Sequence, residues 1–289
     1  MAYPVVDAPY GFKAINELNG LPYAGAIRQI PIARNYGTAL FNGDLLQLTT
    51  DGTIIKTGYV ASTDPTVVIA GAIGVFVGCS YTNPSTGQKL FAQYYPGSIL
   101  ANDIVAYVVD DDRAVFKAVM IAQTGSVSNT ATAIGYVSQA FVGTNLFPVT
   151  GVAGSTTTGN SKMGVCGTNP TNGTGGIRVL TTAPFRVVGV VPETGVTLTG
   201  AGTCSTTTIT LDAAVTGLQA GMQFIVAGVA NANAGDYNLV TNVNGTTVTI
   251  SRSVTIASST AMTFVGFPEV LVKWNQGYHS YDNPLATGL

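Results

Sequence analysis

The sequence predicts an all-β fold for this chain of 289 residues. Short segments rich in Val, Ile, Thr and aromatic residues alternate with Gly, Asn and Asp, which is typical of strands joined by tight turns. The dipeptides Asp51-Gly52 and Asn244-Gly245 each lie between two such segments and predict β-hairpins. Helical periodicity is scarce, with weak candidates only at residues 160–168 and 216–223.

The composition is unusually neutral. Only 9% of the residues are charged and the net charge is -2, whereas roughly 25% of a typical soluble domain is charged. The chain lacks the basic excess of a nucleic-acid-binding protein, so no nucleic-acid partner is expected. So little charge favours self-association, unless the surface is buried in an assembly or is well hydrated by hydroxyl groups. The sequence leaves both explanations open.

No membrane partner is expected either. The chain has no uninterrupted apolar run of about 18 residues, which a transmembrane helix would need. Its first residues show neither the basic nor the apolar part of a secretory signal, so synthesis in a host cytoplasm is expected.

Residues 1–35 differ from the rest of the chain and predict an extended N-terminal arm. Prolines oppose helix and interrupt sheet ladders, while aromatic side chains between them favour burial. An arm lying in a groove, on a neighbouring subunit, satisfies both tendencies. A strand and loop wrapped on the segment's own domain would do so too. The prolines and aromatics are Pro4, Pro9, Pro22 and Pro31 with Tyr3, Tyr10, Phe12 and Tyr23.

Residues 36–194 and 266–289 predict one β core domain. Polar segments at 151–160 and 169–176 predict surface loops. The predicted strands of this domain are 45–49, 53–56, 70–79, 88–95, 104–109, 115–120, 133–142, 176–180, 185–191 and 267–274.

Residues 195–265 predict a small β-domain inserted into a loop of the core domain. About five short strands in some 70 residues form a small sandwich or barrel. The segment after it, Phe267–Trp274, returns to the composition of the core, which favours an insertion. A simple C-terminal second domain with a strand tail is the alternative. The predicted strands are 205–211, 223–227, 237–242, 246–250 and 261–265.

No catalytic site, cofactor or metal centre is expected. His279 is the only histidine and lies among aromatic residues, which favours packing over base catalysis. Cys79, Cys166 and Cys204 are widely spaced and odd in number, so free thiols are favoured over one bridge plus one thiol. Asp110-Asp111-Asp112 carries the carboxylates that a hard cation prefers, but it lacks the EF-hand pattern and is better explained as a charged hairpin tip.

Five segments of the chain carry a recurring pattern. They are Met1-Ala-Tyr-Pro-Val-Val-Asp-Ala-Pro-Tyr-Gly-Phe12, Arg28-Gln-Ile-Pro-Ile-Ala33, Asn42-Gly-Asp-Leu-Leu-Gln-Leu48, Gly74-Val-Phe-Val-Gly-Cys-Ser-Tyr-Thr82 and Glu269-Val-Leu-Val-Lys-Trp-Asn-Gln-Gly-Tyr-His-Ser-Tyr281. Along the chain, Gly-Asp stands before an apolar strand and is followed by Asp-Gly-Thr and then by Gly-Val-Phe-Val-Gly. Together these features resemble the virion structural proteins of tailed bacteriophages, and the order of the motifs is similar to that of their head decoration (cement) proteins. The resemblance covers about residues 1–193 and 266–289.

The resemblance implies a small β-barrel core, often called a β-tulip, that sits on the capsid as a trimer. It implies binding to the major capsid protein, with the N-terminal arm crossing the coat lattice on the virion surface. The insertion, which the minimal cement fold lacks, would then be an Ig-like sandwich facing outward toward host-surface glycans. The expected interface residues are Tyr3, Tyr10, Phe12, Tyr23, Trp274, Tyr278, His279 and Tyr281.

Other functions remain open from the sequence. A tail, fibre or adaptor protein of the virion is one, although fibres usually contain repeats and none is visible here. A carbohydrate-active enzyme or lectin-like module is another, with Trp274, Tyr278 and Tyr281 as its aromatic platform. A major coat protein is disfavoured because the long helix of the common coat fold is absent from the pattern.

Overall fold

The computed structural model describes residues 9–57, 72–122, 132–133, 139–151, 153–166, 183–191, 194, 196–226 and 238–282. The all-β prediction is confirmed, since the helical structure in these ranges is limited to short 3-10 turns at Gln139–Phe141 and around Thr194. The predicted strand at 176–180 and loop at 169–176 lie outside them.

The strands in these ranges follow one another in this order: β1 Lys13–Glu17, β2 Arg28–Pro31, β3 Leu45–Leu48, β4 Ile54–Lys56, β5 Ala72–Thr82, β6 Lys89–Ala92, β7 Val105–Val109, β8 Ala114–Ala122, β9 Thr132–Ala133, β10 Asn145–Leu146, β11 Pro148–Val149, β12 Gly164–Cys166, β13 Phe185–Val191, β14 Thr197–Cys204, β15 Thr208–Leu211, β16 Gln223–Ile225, β17 Asn238–Asn244, β18 Thr247–Ile250, β19 Ile256–Val265 and β20 Glu269–Trp274.

A six-stranded sheet forms the first layer of the core domain. Its order is β2-β7-β5-β3-β4, with β6 also paired to β5. A parallel bridge between Ile32 and Ile54 connects the chain just beyond β2 to β4, so the sheet curls back on itself like a barrel. Its interior is apolar and includes the fully buried side chains of Leu40, Phe76 and Tyr95.

An eight-stranded sheet forms the second layer. Its order is β10-β13-β20-β8-β12-β11, and β1 and β9 also pair with β8. The core beneath it is aromatic: the ring centroids of Phe185 and Trp274 lie 4.3 Å apart, and Phe116 meets Trp274 edge to face. The segment between β7 and β8 passes from one sheet to the other. Asp110–Asp112 is therefore a connection between sheets, and the expected hairpin tip is wrong.

Residues 197–265 contain a closed six-stranded barrel with the order β14-β15-β18-β17-β16-β19. This differs from the Ig-like sandwich that was expected. The ten-residue strand β19 pairs with both β14 and β16 and thereby closes the ring. Pairs such as Phe224–Phe264 fill the interior. Predicted helix 216–223 is a series of turns ending in β16, and β12 lies within predicted helix 160–168.

The N-terminal segment belongs to the core domain from residue 9 onward, so the arm interpretation is wrong for residues 9–35. Strand β1 pairs with β8 and strand β2 pairs with β7. The backbone of Gly11 packs directly against that of Gly43. A Cβ on Gly11 would lie 2.6 Å from the Gly43 carbonyl oxygen, so this contact requires glycine. Both glycines have positive φ angles, and the Phe12 N–H donates to the same carbonyl.

A fully buried carboxylate, that of Asp44 directly before β3, binds three other parts of the same chain. It accepts hydrogen bonds from the Phe41 N–H and the Ser161 hydroxyl and lies 3.1 Å from the Lys56 ammonium. A buried charge is tolerated when it is paired and hydrogen-bonded in this way. The Asn42-Gly-Asp44 motif thus has a structural role in the first sheet.

Candidate interaction surface

A β-hairpin at residues 13–23, called here the N-terminal hairpin, projects from the second sheet. Its outgoing strand is β1, and the chain returns through a bridge between Asn16 and Pro22. The Glu17 N–H donates to the Leu21 carbonyl, and Gly20 adopts the positive φ that closes the turn. The hairpin tip is therefore Leu18, Asn19 and Gly20.

Three large aliphatic side chains are exposed in the segment of residues 18–28, which runs from the hairpin tip to the start of β2. Leu18 is 52% exposed, Leu21 is 60% exposed and Ile27 is 50% exposed. We call these three residues the apolar loop surface. Both ends of the segment contact the connection between β7 and β8, because the Leu18 N–H donates to the Arg113 carbonyl and Arg28 Nε lies 2.6 Å from Asp110 Oδ2. The exposed side chains are thus presented by an anchored segment.

The aromatic residues expected at an interface anchor this segment. Phe12 is buried and stacks on Phe185 with ring centroids 4.8 Å apart. The Tyr10 hydroxyl donates to Glu269 Oε1, and burial is the main cause that raises its pKa. The Tyr23 hydroxyl donates to the Ala26 carbonyl. Phe12 was wrongly expected at an interface, because its side chain is enclosed by the core. Tyr3 lies outside the described residues.

The expected interface residues of the C-terminal segment are divided between the core and the surface. Trp274 is buried in the core beneath the eight-stranded sheet, and Tyr278 is partly buried against the same core. Tyr281 is 52% exposed, and its hydroxyl lies 2.6 Å from Asp110 Oδ2. Arg28 lies over its ring, 5.2 Å from the centroid. Trp274 was wrongly expected at an interface and cannot belong to an aromatic sugar-binding platform.

His279 is buried between the two sheets, so the interface expected of it is internal to the chain. Its Nε2 lies 2.9 Å from the Ile73 carbonyl oxygen, and its Nδ1 accepts from the Tyr281 N–H at 3.3 Å. These partners require the neutral ring with its proton on Nε2. Burial lowers the pKa of His279 below its usual value, although the Ile73 contact and Asp110–Asp112 oppose that change. The neutral ring and Ser280, which also bonds Ala72, fasten the C-terminal segment to β5.

Burial and nearby carboxylates raise the pKa values of two tyrosines close to the apolar loop surface. Burial and the nearby carboxylates of Asp111, Asp110 and Glu17 raise the pKa of Tyr23 to about 12. Burial and the hydrogen bond to Asp110 raise that of Tyr281 to about 12. The hydroxyl of Tyr23 donates to the Ala26 carbonyl and that of Tyr281 donates to Asp110, as protonated phenols can.

A groove of about 430 Å³ lies beside the hairpin tip, lined by Glu17, Leu18, Asn19 and Arg113. No group of three or more His, Cys, Asp or Glu residues that could hold a metal ion occurs in the described ranges. Asp110 is occupied by Arg28 and Tyr281, and Asp111 accepts from the Arg113 N–H. The described lining of the groove thus combines one apolar side chain with an amide and two charged groups of opposite sign.

The barrel carries an open cleft of about 500 Å³, lined by residues 197–201 and 212–216. Threonines and Asp212 supply its polar groups, and none of its described lining residues is aromatic. Sugar-binding sites commonly use an aromatic face beside their polar groups, so this cleft does not single out a glycan.

Comparisons with protein-family models, with curated proteins and with solved structures found no match for the chain. Within the described residues, no helix is long and apolar enough to cross a membrane. Of the predicted interface residues that the structure describes, Tyr281 is more than half exposed and also contacts Asp110 in the connection between β7 and β8. The sequence prediction missed Leu18 and Leu21, whose exposure depends on the hairpin, and Ile27, which directly precedes β2.

Proposed function

We propose that this chain is a non-enzymatic structural protein of a bacteriophage particle, of the head decoration (cement) type. It binds the major capsid protein on the outside of the head through the apolar loop surface and stabilises the coat lattice. The observation that carries the proposal is the anchored segment with three exposed aliphatic side chains on a chain of very low charge.

The energetics suit a repeated contact. Completing the burial of one exposed Leu or Ile side chain stabilises a complex by roughly 1–2 kcal/mol. Hydrogen bonds within the hairpin already order its backbone, so binding requires less ordering than a free arm would. The modest gain of each contact is multiplied over the many copies in a lattice. Self-association into a trimer would increase it further by linking three such surfaces.

A tail or adaptor protein of the virion is the second candidate, because an anchored apolar segment also suits an interface between other virion proteins. The two candidates differ in copy number. We expect a number of chains per particle equal to that of the major coat protein or to a simple fraction of it, measured by quantitative mass spectrometry. A few to a few dozen copies would transfer the protein to the tail or a vertex. Absence from purified particles would refute both.

Substitution tests the binding surface. The double variant Leu21→Asp and Ile27→Asp places two charges on the apolar loop surface. We expect it to bind at least about tenfold more weakly to heads assembled without the chain, as measured by cosedimentation. A tenfold change corresponds to a loss of about 1.4 kcal/mol of binding free energy. Phe91→Asp is the matched control, since Phe91 is 76% exposed on the edge strand β6. Equal binding by both variants and the unaltered chain would remove the apolar loop surface from the interface.

A further inference from the structure

The tip of the N-terminal hairpin contains the dipeptide Asn19-Gly20, and we propose that it is a site of spontaneous deamidation. In this reaction the backbone nitrogen of the following residue attacks the side-chain amide carbon of asparagine. A glycine at that position offers the least steric hindrance, because it has no Cβ. A Cβ built on Gly20 meets no atom within 4 Å, so the space around this peptide group is open.

The hydrogen bonds of Asn19 favour the attack. The Leu21 N–H donates to Asn19 Oδ1 at 3.0 Å and draws electron density from the amide carbon. The amide nitrogen Nδ2, which leaves as ammonia, lies 3.2 Å from Glu17 Oε2. The Gly20 N–H donates to the Glu17 carbonyl at 2.9 Å, and this bond must open first. Opening is local because the hairpin tip is exposed.

The atoms balance with water as the only co-reactant. The Gly20 nitrogen loses its proton to solvent and forms a bond to Asn19 Cγ, and the bond between Cγ and Nδ2 breaks. Ammonia departs with a solvent proton and leaves a five-membered succinimide. Water then opens either carbonyl of that ring. The product is aspartate or, when the backbone carbonyl is attacked, isoaspartate.

The product changes the charge at the hairpin tip. Glu17 loses the amide donor of residue 19 and faces a second carboxylate instead. Arg113 lines the same groove, and the described residues give its guanidinium no ion pair. The new carboxylate is expected to turn toward Arg113. Deamidation thus adds a negative charge beside the apolar loop surface. A resulting loss of coat binding with age rests on the proposed function, whereas the reaction itself does not.

The Asn42-Gly43 dipeptide, which lies in the folded core domain, supplies an internal control. Asn42 Nδ2 donates to the Val77 carbonyl at 2.9 Å, and the Gly43 N–H donates to the Phe76 carbonyl at 2.7 Å. Its surroundings are crowded, since a Cβ on Gly43 would lie 2.7 Å from the Tyr10 carbonyl oxygen. Folding therefore protects Asn42 and leaves Asn19 open.

The test is peptide mapping by mass spectrometry of the full chain after incubation in mildly alkaline buffer, once folded and once in denaturant. In the folded chain we expect the amide of Asn19 to be lost at least about tenfold faster than that of Asn42. In denaturant the two rates should converge. An Asn19 amide that persists in the folded chain as long as that of Asn42 would overturn the proposal.

An Asn19→Gln variant should keep its amide at this position, since its longer side chain disfavours ring closure. The mass readout is independent of any partner, so deamidation without an effect of Asn19→Asp on head binding would count against the proposed function alone.

Discussion

His279 connects two sheets through a single buried ring. Its neutral form donates to the Ile73 carbonyl and accepts from the Tyr281 N–H, so protonation would place a donor against a donor. The charged groups that face it are Asp110–Asp112, whose attraction only partly offsets the cost of burial. The buried ring with its two backbone contacts therefore has a structural role.

The lowered pKa of His279 predicts a loss of stability on acidification. A histidine whose folded pKa lies below its unfolded value of 6.5 contributes stability above that pH, and the contribution is lost as the pH falls through the folded pKa. We expect the free energy of unfolding, from urea titrations, to fall between about pH 7 and pH 5 more steeply in the unaltered chain than in His279→Gln.

Because the chain has one histidine, the comparison with His279→Gln isolates its contribution from that of the carboxylates. Equal slopes in the two proteins would show that His279 does not control this pH dependence.

At the scale of elements, the N-terminal hairpin combines a buried root with an exposed tip. Phe12 lies directly before β1 and is 1% exposed, whereas Leu21 at the far end is 60% exposed. Substitution of the buried side chain should therefore lower the stability of the fold, whereas substitution of the exposed side chain should change it little. Truncation of the first 34 residues would therefore remove core packing together with the tip, and point substitutions separate the two.

Phe12→Ala should cost about 3–5 kcal/mol of the free energy of unfolding, because it leaves a cavity against Phe185. Leu21→Ala, the matched control, should change it by no more than about 0.5 kcal/mol, since an exposed side chain loses little contact. Chemical denaturation monitored by the fluorescence of Trp274 measures both. A Phe12→Ala protein as stable as the control would restore the arm interpretation.

Local chemistry predicted the hairpins well, and long-range pairing set the rest. The strands around Asp51-Gly52 and Asn244-Gly245 formed where the turn residues placed them. The prolines of the first 35 residues suggested an arm, but Pro22 and Pro31 occupy an isolated bridge and the end of β2, positions that tolerate a missing N–H.

The candidate site was harder to predict than the strands. Aromatic residues such as Phe12 and Trp274 attracted attention as contact residues, yet the same apolar surface that suits an interface also suits a core. The side chains that are exposed, Leu18 and Leu21, owe their position to the pairing of β1 with β8, more than ninety residues away in the sequence. Sequence pattern carries no direct signal for such a pairing.

At the scale of the whole molecule, three apolar cores and a fourth, bridging cluster hold the described chain together. The bridging cluster contains Val119, Ile121 and Phe267 from the core domain, and Ile225 and Leu239 of the barrel pack against it. Among the described residues, the barrel is therefore joined to the core domain by this apolar cluster as well as by the two chain segments that enter and leave it.

Removal of residues 197–265, with a short Gly-Ser linker in their place, should leave a folded core domain of lower stability. The paired strands β13 and β20 flank the insertion and remain in register without it, while the loss of Ile225 and Leu239 exposes part of the bridging cluster. Circular dichroism and urea unfolding would report retained strand content with a lower midpoint. A shortened chain without a cooperative transition would make the barrel an obligatory part of the core.

The barrel begins and ends at paired residues, because Thr197 on β14 lies opposite Val265 on β19. Opposite residues of an antiparallel pair have Cα atoms only about 5 Å apart. The inserted barrel is therefore attached to the core domain at two adjacent points. A foreign domain whose own termini are close together can be joined at the same points without separating β13 from β20. If the chain covers a particle, this position offers an attachment site for displaying antigens or enzymes in many copies.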